Sequence, residues 1–165
     1  GGFSAQATID IIEKQKITNF AAAPTVYRSL RADGVEISSR HRLRCLSSAG
    51  EPLTPEINEW AKTFFGLSVH DHYGQTETSM VINNHHHPDL KTSLRDGSMG
   101  KVMPGWSATV LKNDEDVPEE PGVPGRVAFI VSESPFSWFA GYIGNPKKSA
   151  EKFSKDGTYL SLIHI

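Results

Sequence analysis

The sequence predicts an α/β fold, with a parallel sheet and flanking helices in the first half and antiparallel strands in the second. Helical and strand patterns alternate over the first 75 residues, an order typical of right-handed crossovers between parallel strands. Beyond residue 105, two strand patterns flank an acidic, proline-rich segment, which indicates an antiparallel hairpin. The chain has 165 residues, of which 38% are apolar and 22% charged, a composition typical of globular proteins.

Three helices are predicted in the first half. Ser4 can cap the first, and the second begins at Pro24, because a missing N–H costs nothing in the first turn. The third covers residues 53–66, where Thr54 suits the N-terminal cap and Gly66 the C-terminal end. Helical spacing predicts apolar faces formed by Ala5, Ile9, Ile12 and Ile17, by Val26, Tyr27 and Leu30, and by Ile57, Trp60 and Phe64.

Short apolar segments between the helices predict strands at residues 17–23, 43–49 and 67–71. In parallel sheets ligands bind beyond the carboxyl ends of the strands. The segments in that position are SAGEPL, residues 48–53, and HYGQTETS, residues 72–79. We therefore expect these two segments to be loops at the same edge of the sheet.

The second half is expected to begin with a long loop over residues 83–105. Strands are predicted at residues 106–112 and 125–131. A short helix is expected over residues 145–153, with Asn at its cap and Pro in its first turn. The segment KDGTYL then predicts a turn into a last strand.

Composition excludes several classes of partner. Seventeen basic and nineteen acidic residues leave a formal charge of −2, which gives no indication of a nucleic-acid or membrane-surface partner. No apolar run approaches the roughly 18 residues of a membrane span. The single cysteine, Cys45, cannot form an internal disulfide, which fits a reducing compartment, and we predict a cytoplasmic location.

Two interpretations suit the segment SAGEPL. It can be a strand-to-helix turn in which Pro52 and Thr54 set the start of the next helix. It can also be a binding turn in which Gly50 brings backbone, and Glu51 a carboxylate, to a planar ligand. Taken alone, the segment favours the first interpretation.

The stretch HDHYGQTETS, residues 70–79, is too polar to serve hydrophobic packing. An aromatic ring such as that of Tyr73 can stack on a base, worth roughly 1–3 kcal/mol in nucleic-acid systems. Threonine hydroxyls and backbone N–H groups can hold phosphate oxygens. Glu77 is a hard oxygen ligand suited to Mg²⁺, which often takes one or two carboxylates plus substrate phosphates. A polar surface turn is the alternative, and the density of these residue types disfavours it.

Two further segments match no known metal or phosphate motif. His85, His86 and His87 are adjacent, and side chains on a strand alternate faces, so all three cannot reach one centre. No CxxC or HExxH partner completes a zinc site, and a solvated loop is expected. GSMGKVMPG, residues 97–105, lacks the Walker spacing, so its glycines are expected to permit tight turns and close approach of a ligand.

Six motifs together carry a resemblance to a known family. Their order and spacing resemble those of the AMP-forming adenylating enzymes, from about Ile9 to Leu160, with wording most similar to acyl-CoA synthetases. One such motif would be weak, and six in order are strong. The motifs are APTVYRSL, SSAGEPL, DHYGQTET, GSMGKVMPG, PGVPGRVAF and GYIGNPKKSAEKFSKDGTY.

The resemblance implies a nucleotide-binding role for residues of both candidate loops. The positions that match the adenine-contacting motifs are Gly50, Glu51 and Pro52, then Asp71, His72 and Tyr73, with the Tyr73 ring stacking on the base. Gly74 and Gln75 match positions near the acyl group and the α-phosphate.

The resemblance also implies catalytic and acyl-binding residues. Thr76 matches the phosphate-contacting threonine, and Glu77 matches the Mg²⁺-binding glutamate; these two are the expected catalytic residues. Tyr27, Gly74 and Gly100 match positions that border the acyl pocket.

The implied reaction joins a small carboxylic acid to ATP as an acyl-adenylate, from which CoA takes the acyl group as a thioester. ATP and CoA are then substrates, Mg²⁺ the metal, short- to medium-chain acids the acyl donors, and fatty acid metabolism the setting. One alternative is an adenylation domain that loads a carrier-protein thiol, and another is a non-catalytic nucleotide-binding module. Zinc binding through His85–His87 is a weaker alternative.

Three departures from the family pattern are expected to matter. The upstream phosphate loop is absent, as are the C-terminal lid domain and the Thr-Gly-Asp that should follow Leu160. We therefore expect residues 1–165 to be a partial adenylation domain, a central fragment of the large N-terminal domain that is inactive alone. Residues 161–165 are expected to be a non-native end.

Overall fold

The computed structural model describes residues 2–164, with side chains up to Ser161. The first sheet has the strand order β1-β2-β3-β4-β5 and the second β6-β7-β8. Two compact units form: unit 1 runs up to Gly74 and includes Ile82–Lys101, and unit 2 contains Gln75–Val81 and the chain from Val102 onward. The elements are α1 (Ala5–Lys14), β1 (Asn19–Ala21), α2 (Pro24–Ala32), β2 (Cys45–Ala49), α3 (Pro55–Phe65), β3 (Val69–Gln75), β4 (Ser79–Asn83), β5 (Lys101–Val102), β6 (Ala108–Leu111), β7 (Arg126–Ile130), a 3-10 turn (Val131–Glu133), α4 (Pro146–Ala150) and β8 (Tyr159–His164).

Unit 1 is built on the predicted parallel sheet. Strand β2 pairs in parallel with both β1 and β3, and Leu46 lies opposite Phe20 on one side and Val69 on the other. The core is a single apolar cluster that this sheet shares with the three helices. Its buried members are Ala5, Ile9, Ile12, Tyr27, Leu30, Leu43, Leu46, Ile57, Ala61, Phe65 and Val69.

The predicted helix ends are confirmed in part. The Ser4 side chain accepts a hydrogen bond from the Ala7 N–H at 3.3 Å, which caps α1. Gly66 ends α3 in the left-handed conformation, with φ 68°. Thr54 occupies the cap position of α3, but its side chain makes no capping hydrogen bond. Ile17 lies beyond the end of α1, although it still packs against the core.

The apolar face of α3 differs from the expected one. Its buried residues are Ile57, Ala61 and Phe65, which follow an i, i+4, i+8 row. Trp60 and Phe64, expected on that face, are half-buried beside it with ring centroids 4.8 Å apart. Two bulky rings stack on each other at the border, so the small Ala61 can lie against the sheet.

The expected loop over residues 72–79 is wrong for its first half. Strand β3 runs on through Gln75, and β4, which was not predicted, begins at Ser79 after a three-residue turn. Backbone pairing decides this conformation: the Asn84 N–H donates to the Asp71 carbonyl at 3.2 Å. Polar composition predicted a loop, yet a polar strand forms wherever its backbone finds partners.

Unit 2 contains the predicted antiparallel hairpin. Val110 lies opposite Val127 in the β6–β7 pair, and β8 pairs antiparallel with the other edge of β7. The Arg126 guanidinium donates to Asp116 Oδ1 at 2.9 Å and ties the acidic connecting loop to β7. Helix α4 is shorter than expected, and Asn145 caps it by accepting from the Lys148 N–H at 3.0 Å.

The predicted last strand is confirmed, since β8 begins at Tyr159 and its backbone runs to His164. Ile165 lies outside the described residues, so the expectation that residues 161–165 are non-native stays a prediction. None of the helices in the part of the chain that the structure describes has the length and apolarity needed to cross a bilayer.

Replacing Leu46 by alanine should destabilise unit 1 by about 2–5 kcal/mol, because a buried leucine side chain leaves a cavity. Leu46 is 0% exposed on β2, which has a paired strand on each side. The measurement is urea-induced unfolding followed by circular dichroism. The matched control is Leu90→Ala, a residue 38% exposed, which should change the free energy of unfolding by less than about 1 kcal/mol. Equal losses in the two variants would contradict this placement of the core.

Candidate functional site

Strand β2 ends beside β3 at one edge of unit 1, and β3 continues beyond that point. Ala49, the last residue of β2, lies opposite His72, so Gly50 leaves the sheet where β3 continues into Tyr73. Gly50 has φ 90°, and a Cβ there would meet no atom within 4 Å. The positive φ therefore requires glycine at this turn, and the space beside it is open to a ligand.

The carboxylate of Glu51 is already occupied by the protein. Arg28 donates to its Oε2 at 2.6 Å, and the Thr25 hydroxyl donates to its Oε1 at 3.3 Å. Both partners lie on α2, and the pair is well exposed, so it contributes little to stability. Its effect is to tie the turn to α2. What residues 50–52 can offer a planar ligand is therefore chiefly backbone.

Asp71 and Tyr73 place their side chains in the interior. Both are only 9% exposed. Burial raises the pKa of Asp71, while hydrogen bonds from the backbone N–H groups of His72 and Leu53 oppose that rise. Tyr73 is therefore almost wholly buried in this structure.

Three histidines gather on unit 1. His70 and His86 stack with ring centroids 3.8 Å apart at 15°, and His72 lies edge-on to His86 at 6.1 Å. His70 Nδ1 is 2.8 Å from the Asn84 carbonyl oxygen, and His86 Nε2 is 3.1 Å from Ser47 Oγ. His86 lies in a loop, as expected, but it is half-buried rather than fully solvated.

Burial keeps these histidines neutral. Loss of solvation lowers the pKa of His72 to about 4, helped by repulsion from His86 and His70. Loss of solvation also lowers the pKa of His86 to about 4, and repulsion from His70 adds to this effect. Burial also lowers the pKa of His70. Within residues 2–164, no three His, Cys, Asp or Glu side chains are arranged to hold a metal ion.

The turn between β3 and β4, in unit 2, carries Thr76 and Glu77. The Thr78 N–H donates to the Gln75 carbonyl at 3.1 Å and closes the turn. Thr78 itself is fully buried, and its hydroxyl donates to the Ser79 carbonyl at 3.2 Å. This anchor leaves Thr76 exposed and Glu77 half-buried.

Glu77 is presented as an ionised carboxylate. Its oxygen accepts a hydrogen bond from the hydroxyl of Tyr142. That bond lowers the pKa of Glu77, with smaller help from the charges of Lys152 and Lys148. One ionised hard oxygen donor beside an exposed hydroxyl fits Mg²⁺, which commonly takes a single carboxylate together with substrate phosphates.

Tyr142 was missed by reasoning from the sequence. It stands in the quoted motif GYIGNPKKSAEKF, but no local pattern indicates that its hydroxyl reaches a residue 65 positions earlier. Arg28 was missed for the same reason, because its partner Glu51 is 23 positions away.

The three residues expected to border the acyl pocket lie in three different environments. Tyr27 is 0% exposed in the core, and its hydroxyl donates to the Ser47 carbonyl at 2.9 Å. Gly74 lies within β3. Gly100 has φ 93°, and a Cβ there would stand 2.1 Å from the Asn83 carbonyl oxygen, so only glycine fits. The acyl-pocket role of all three stays a prediction.

Comparisons with known proteins agree on one family. A family model described as AMP-binding enzyme matches residues 2–142. The mouse mitochondrial acyl-coenzyme A synthetase ACSM3 is 35% identical over 150 residues, covering 90% of this chain and 25% of that protein. The 4-hydroxybutyrate–CoA ligase 1 of Metallosphaera sedula is 34% identical over 150 residues, covering 91% and 26%.

Solved structures share the fold. The acyl-CoA synthetase of Brucella canis superposes with a TM-score of 0.83 and 42% identity, over 98% of this chain and 29% of that one. The anthranilate CoA ligase AuaEII in complex with anthranoyl-AMP gives a TM-score of 0.77 and 28% identity, over 95% and 28%. The chain spans about a quarter of the length of the curated relatives it matches.

The half-buried His72 and His86 should make the chain less stable as the pH falls from 6.5 toward 4. In the unfolded chain each takes up a proton near pH 6.5, whereas the folded pKa of His72 and of His86 is about 4. The unfolded state therefore binds more protons in this interval, and stability is complete only above it. Urea unfolding at about pH 7.5 and about pH 5.5, above the range where most carboxyl groups titrate, measures the effect.

The double variant His72→Asn/His86→Asn should lose much of this pH dependence. The control is His87→Asn, because the side chain of His87 is exposed. A pH dependence that is the same in the wild type and the double variant would contradict the assignment of these two groups.

Proposed function

The chain belongs to the AMP-binding enzyme family, and on that premise we propose that it is part of an AMP-forming acyl-CoA synthetase. The similar proteins named as acyl-CoA synthetases and CoA ligases support this proposal. Because the chain spans about a quarter of such relatives, the activity is proposed for a longer enzyme that contains it. The observation that carries the proposal is the Thr76–Glu77 turn, which presents an exposed hydroxyl beside an ionised carboxylate.

The proposed reaction has two steps. A substrate carboxylate oxygen attacks the α-phosphorus of ATP, and the bond to the leaving pyrophosphate breaks to give an acyl-adenylate. The thiolate of CoA then attacks the acyl carbon, forms the thioester and releases AMP. No side-chain nucleophile is needed in either step, since both nucleophiles belong to substrates.

Residues of unit 1 are proposed to hold the adenine. The turn Gly50–Glu51–Pro52 offers backbone groups at an open edge, kept in place by the ion pair between Arg28 and Glu51. Asp71, His72 and Tyr73 frame the base from the neighbouring strand. Stacking on Tyr73 would require its side chain to become more exposed than it is here. A neutral His72 adds no charge to this region.

The end of β3 and the turn after it are proposed to serve the phosphates. The hydroxyl of the exposed Thr76 donates to a phosphate oxygen, and Gly74 and Gln75 lie near the α-phosphate and the acyl group. Glu77 supplies a carboxylate oxygen to Mg²⁺, which when bound offsets the negative charge that develops on the phosphates. Groups positioned in advance for that charge stabilise the transition state without reorganisation at the moment of reaction.

The acyl substrate is proposed to be a short- to medium-chain carboxylic acid, processed in fatty acid metabolism. The proposed pocket residues are Tyr27, Gly74 and Gly100. Because Tyr27 is buried in the core, its proposed role is to support the pocket wall. We keep a cytoplasmic location as a proposal, noting that several similar proteins are named as mitochondrial.

The acceptor thiol separates the main proposal from its first alternative. An adenylating domain for a carrier protein would transfer its acyl group to a carrier-bound thiol and leave free CoA unchanged. Mass spectrometry of the thioester products, with CoA and a carrier protein offered separately, distinguishes the two. A non-catalytic nucleotide-binding module would bind ATP and release no pyrophosphate with any acid. The 165-residue chain by itself is proposed to form no thioester.

Replacing Glu77 by glutamine should lower acid-dependent exchange between ATP and pyrophosphate by about 100-fold or more in the full-length enzyme that contains this chain, because a charge-stabilising group is lost. The matched control is Glu59→Gln, an exposed residue of α3, which should leave exchange unchanged. Exchange that survives intact in the Glu77 variant would remove the proposed catalytic role.

A further inference from the structure

We propose that Tyr142 is a positioning residue that holds Glu77 ready for the metal ion. This inference rests on the proposed function, because it assumes that Glu77 binds a divalent cation with ATP. Tyr142 belongs to the motif GYIGNPKKSAEKF. The proposed contacts to the adenine, the phosphates and the acyl group give this residue no role.

The contact joins two distant parts of unit 2. The Tyr142 hydroxyl donates to Oε1 of Glu77 across 65 positions of sequence. Glu77 stands on a short turn whose buried anchor is Thr78 rather than Glu77 itself. A glutamate in that position can rotate about its side-chain bonds unless another group holds it. The hydrogen bond from Tyr142 restricts this rotation.

Tyr142 is itself held firmly enough to act as a support. Its backbone N–H donates to Ser149 Oγ at 2.7 Å, and that hydroxyl donates to the Asn145 carbonyl at 2.8 Å. The Tyr142 ring meets the Phe139 ring edge-on at 5.1 Å. The Lys148 ammonium lies over the ring at 5.0 Å from its centre. The Tyr142 backbone is thus hydrogen-bonded to α4, and contacts with Phe139 and Lys148 hold the ring that carries the hydroxyl.

The contact suits a carboxylate, that of Glu77, that would bind a metal ion. A tyrosine hydroxyl that donates to Oε1 would leave Oε2 available to a cation. Hydrogen bonds to ligating carboxylates orient them, and losing such a partner typically weakens metal affinity about 10–100-fold. The Lys148 ammonium, placed over the ring, adds a cation–π contact that holds the ring in place.

The experiment compares Tyr142→Phe with the wild type in the full-length enzyme that contains this chain. The first readout is Mn²⁺ affinity in the presence of ATP, measured by electron paramagnetic resonance, with no acid substrate and hence no turnover. We expect affinity to fall about 10-fold or more. The second readout is the Mg²⁺ dependence of pyrophosphate exchange, which should shift to higher concentration while the rate at saturating Mg²⁺ is largely kept.

Two further variants make the result specific. Trp138→Phe changes an exposed aromatic residue of the same segment, 60% exposed, and should leave Mn²⁺ affinity unchanged. Ser149→Ala keeps the Tyr142 hydroxyl but removes its backbone anchor, and should weaken affinity by a smaller factor. It also tests the proposal if Tyr142→Phe fails to fold, in which case unchanged affinity in Ser149→Ala overturns the inference.

Failure of the inference and failure of the proposed function look different. If Glu77→Gln abolishes Mn²⁺ binding and exchange while Tyr142→Phe leaves both unaltered, Tyr142 is a structural contact only and the inference is wrong. If Glu77→Gln itself leaves Mn²⁺ binding and exchange intact, the metal role of Glu77 fails, and the inference falls with it.

Discussion

The parallel pairing of β2 with β3 is the constraint on which the candidate site of unit 1 depends. With Ala49 opposite His72, the turn that follows β2 lies beside β3 in a fixed register. A slip by one residue would move every side chain of β3 to the opposite face, so that Asp71 and Tyr73 would exchange faces with His70 and His72. Leu46 and Val69 prevent that slip, because both are buried and lie opposite each other in the apolar core.

Charge is controlled in opposite ways in the two units. In unit 1, partial burial favours the neutral form of His72 and His86, so these two side chains carry no positive charge at neutral pH. In unit 2, a hydrogen bond from Tyr142 favours the charged form of Glu77. Desolvation penalises an ion wherever it lies, whereas a donor aimed at a carboxylate stabilises the ion.

Much of the fold could be predicted from local pattern, because helix caps and apolar spacing are properties of neighbouring residues. Ser4, Pro24 and Gly66 mark the helix ends that the structure shows. The errors arise where long-range pairing outweighs local composition. The polar residues of β3 form a strand because the chain at Asn84 supplies a hydrogen-bond donor. The polar turn was expected to be longer, because nothing in the local sequence indicates that the N–H of Asn84 will pair with this strand.

The sequence by itself determined the chemical inventory of the candidate site and the family. A ring at Tyr73, a hydroxyl at Thr76 and a carboxylate at Glu77 are residue types at local spacing, and six motifs in order are enough to identify relatives. Only the tertiary structure decided which of these groups already have partners: Arg28 on Glu51 across 23 positions, and Tyr142 on Glu77 across 65. Such contacts depend on how the sheets and helices bring distant segments together, and periodicity in one segment carries no information about a side chain in another.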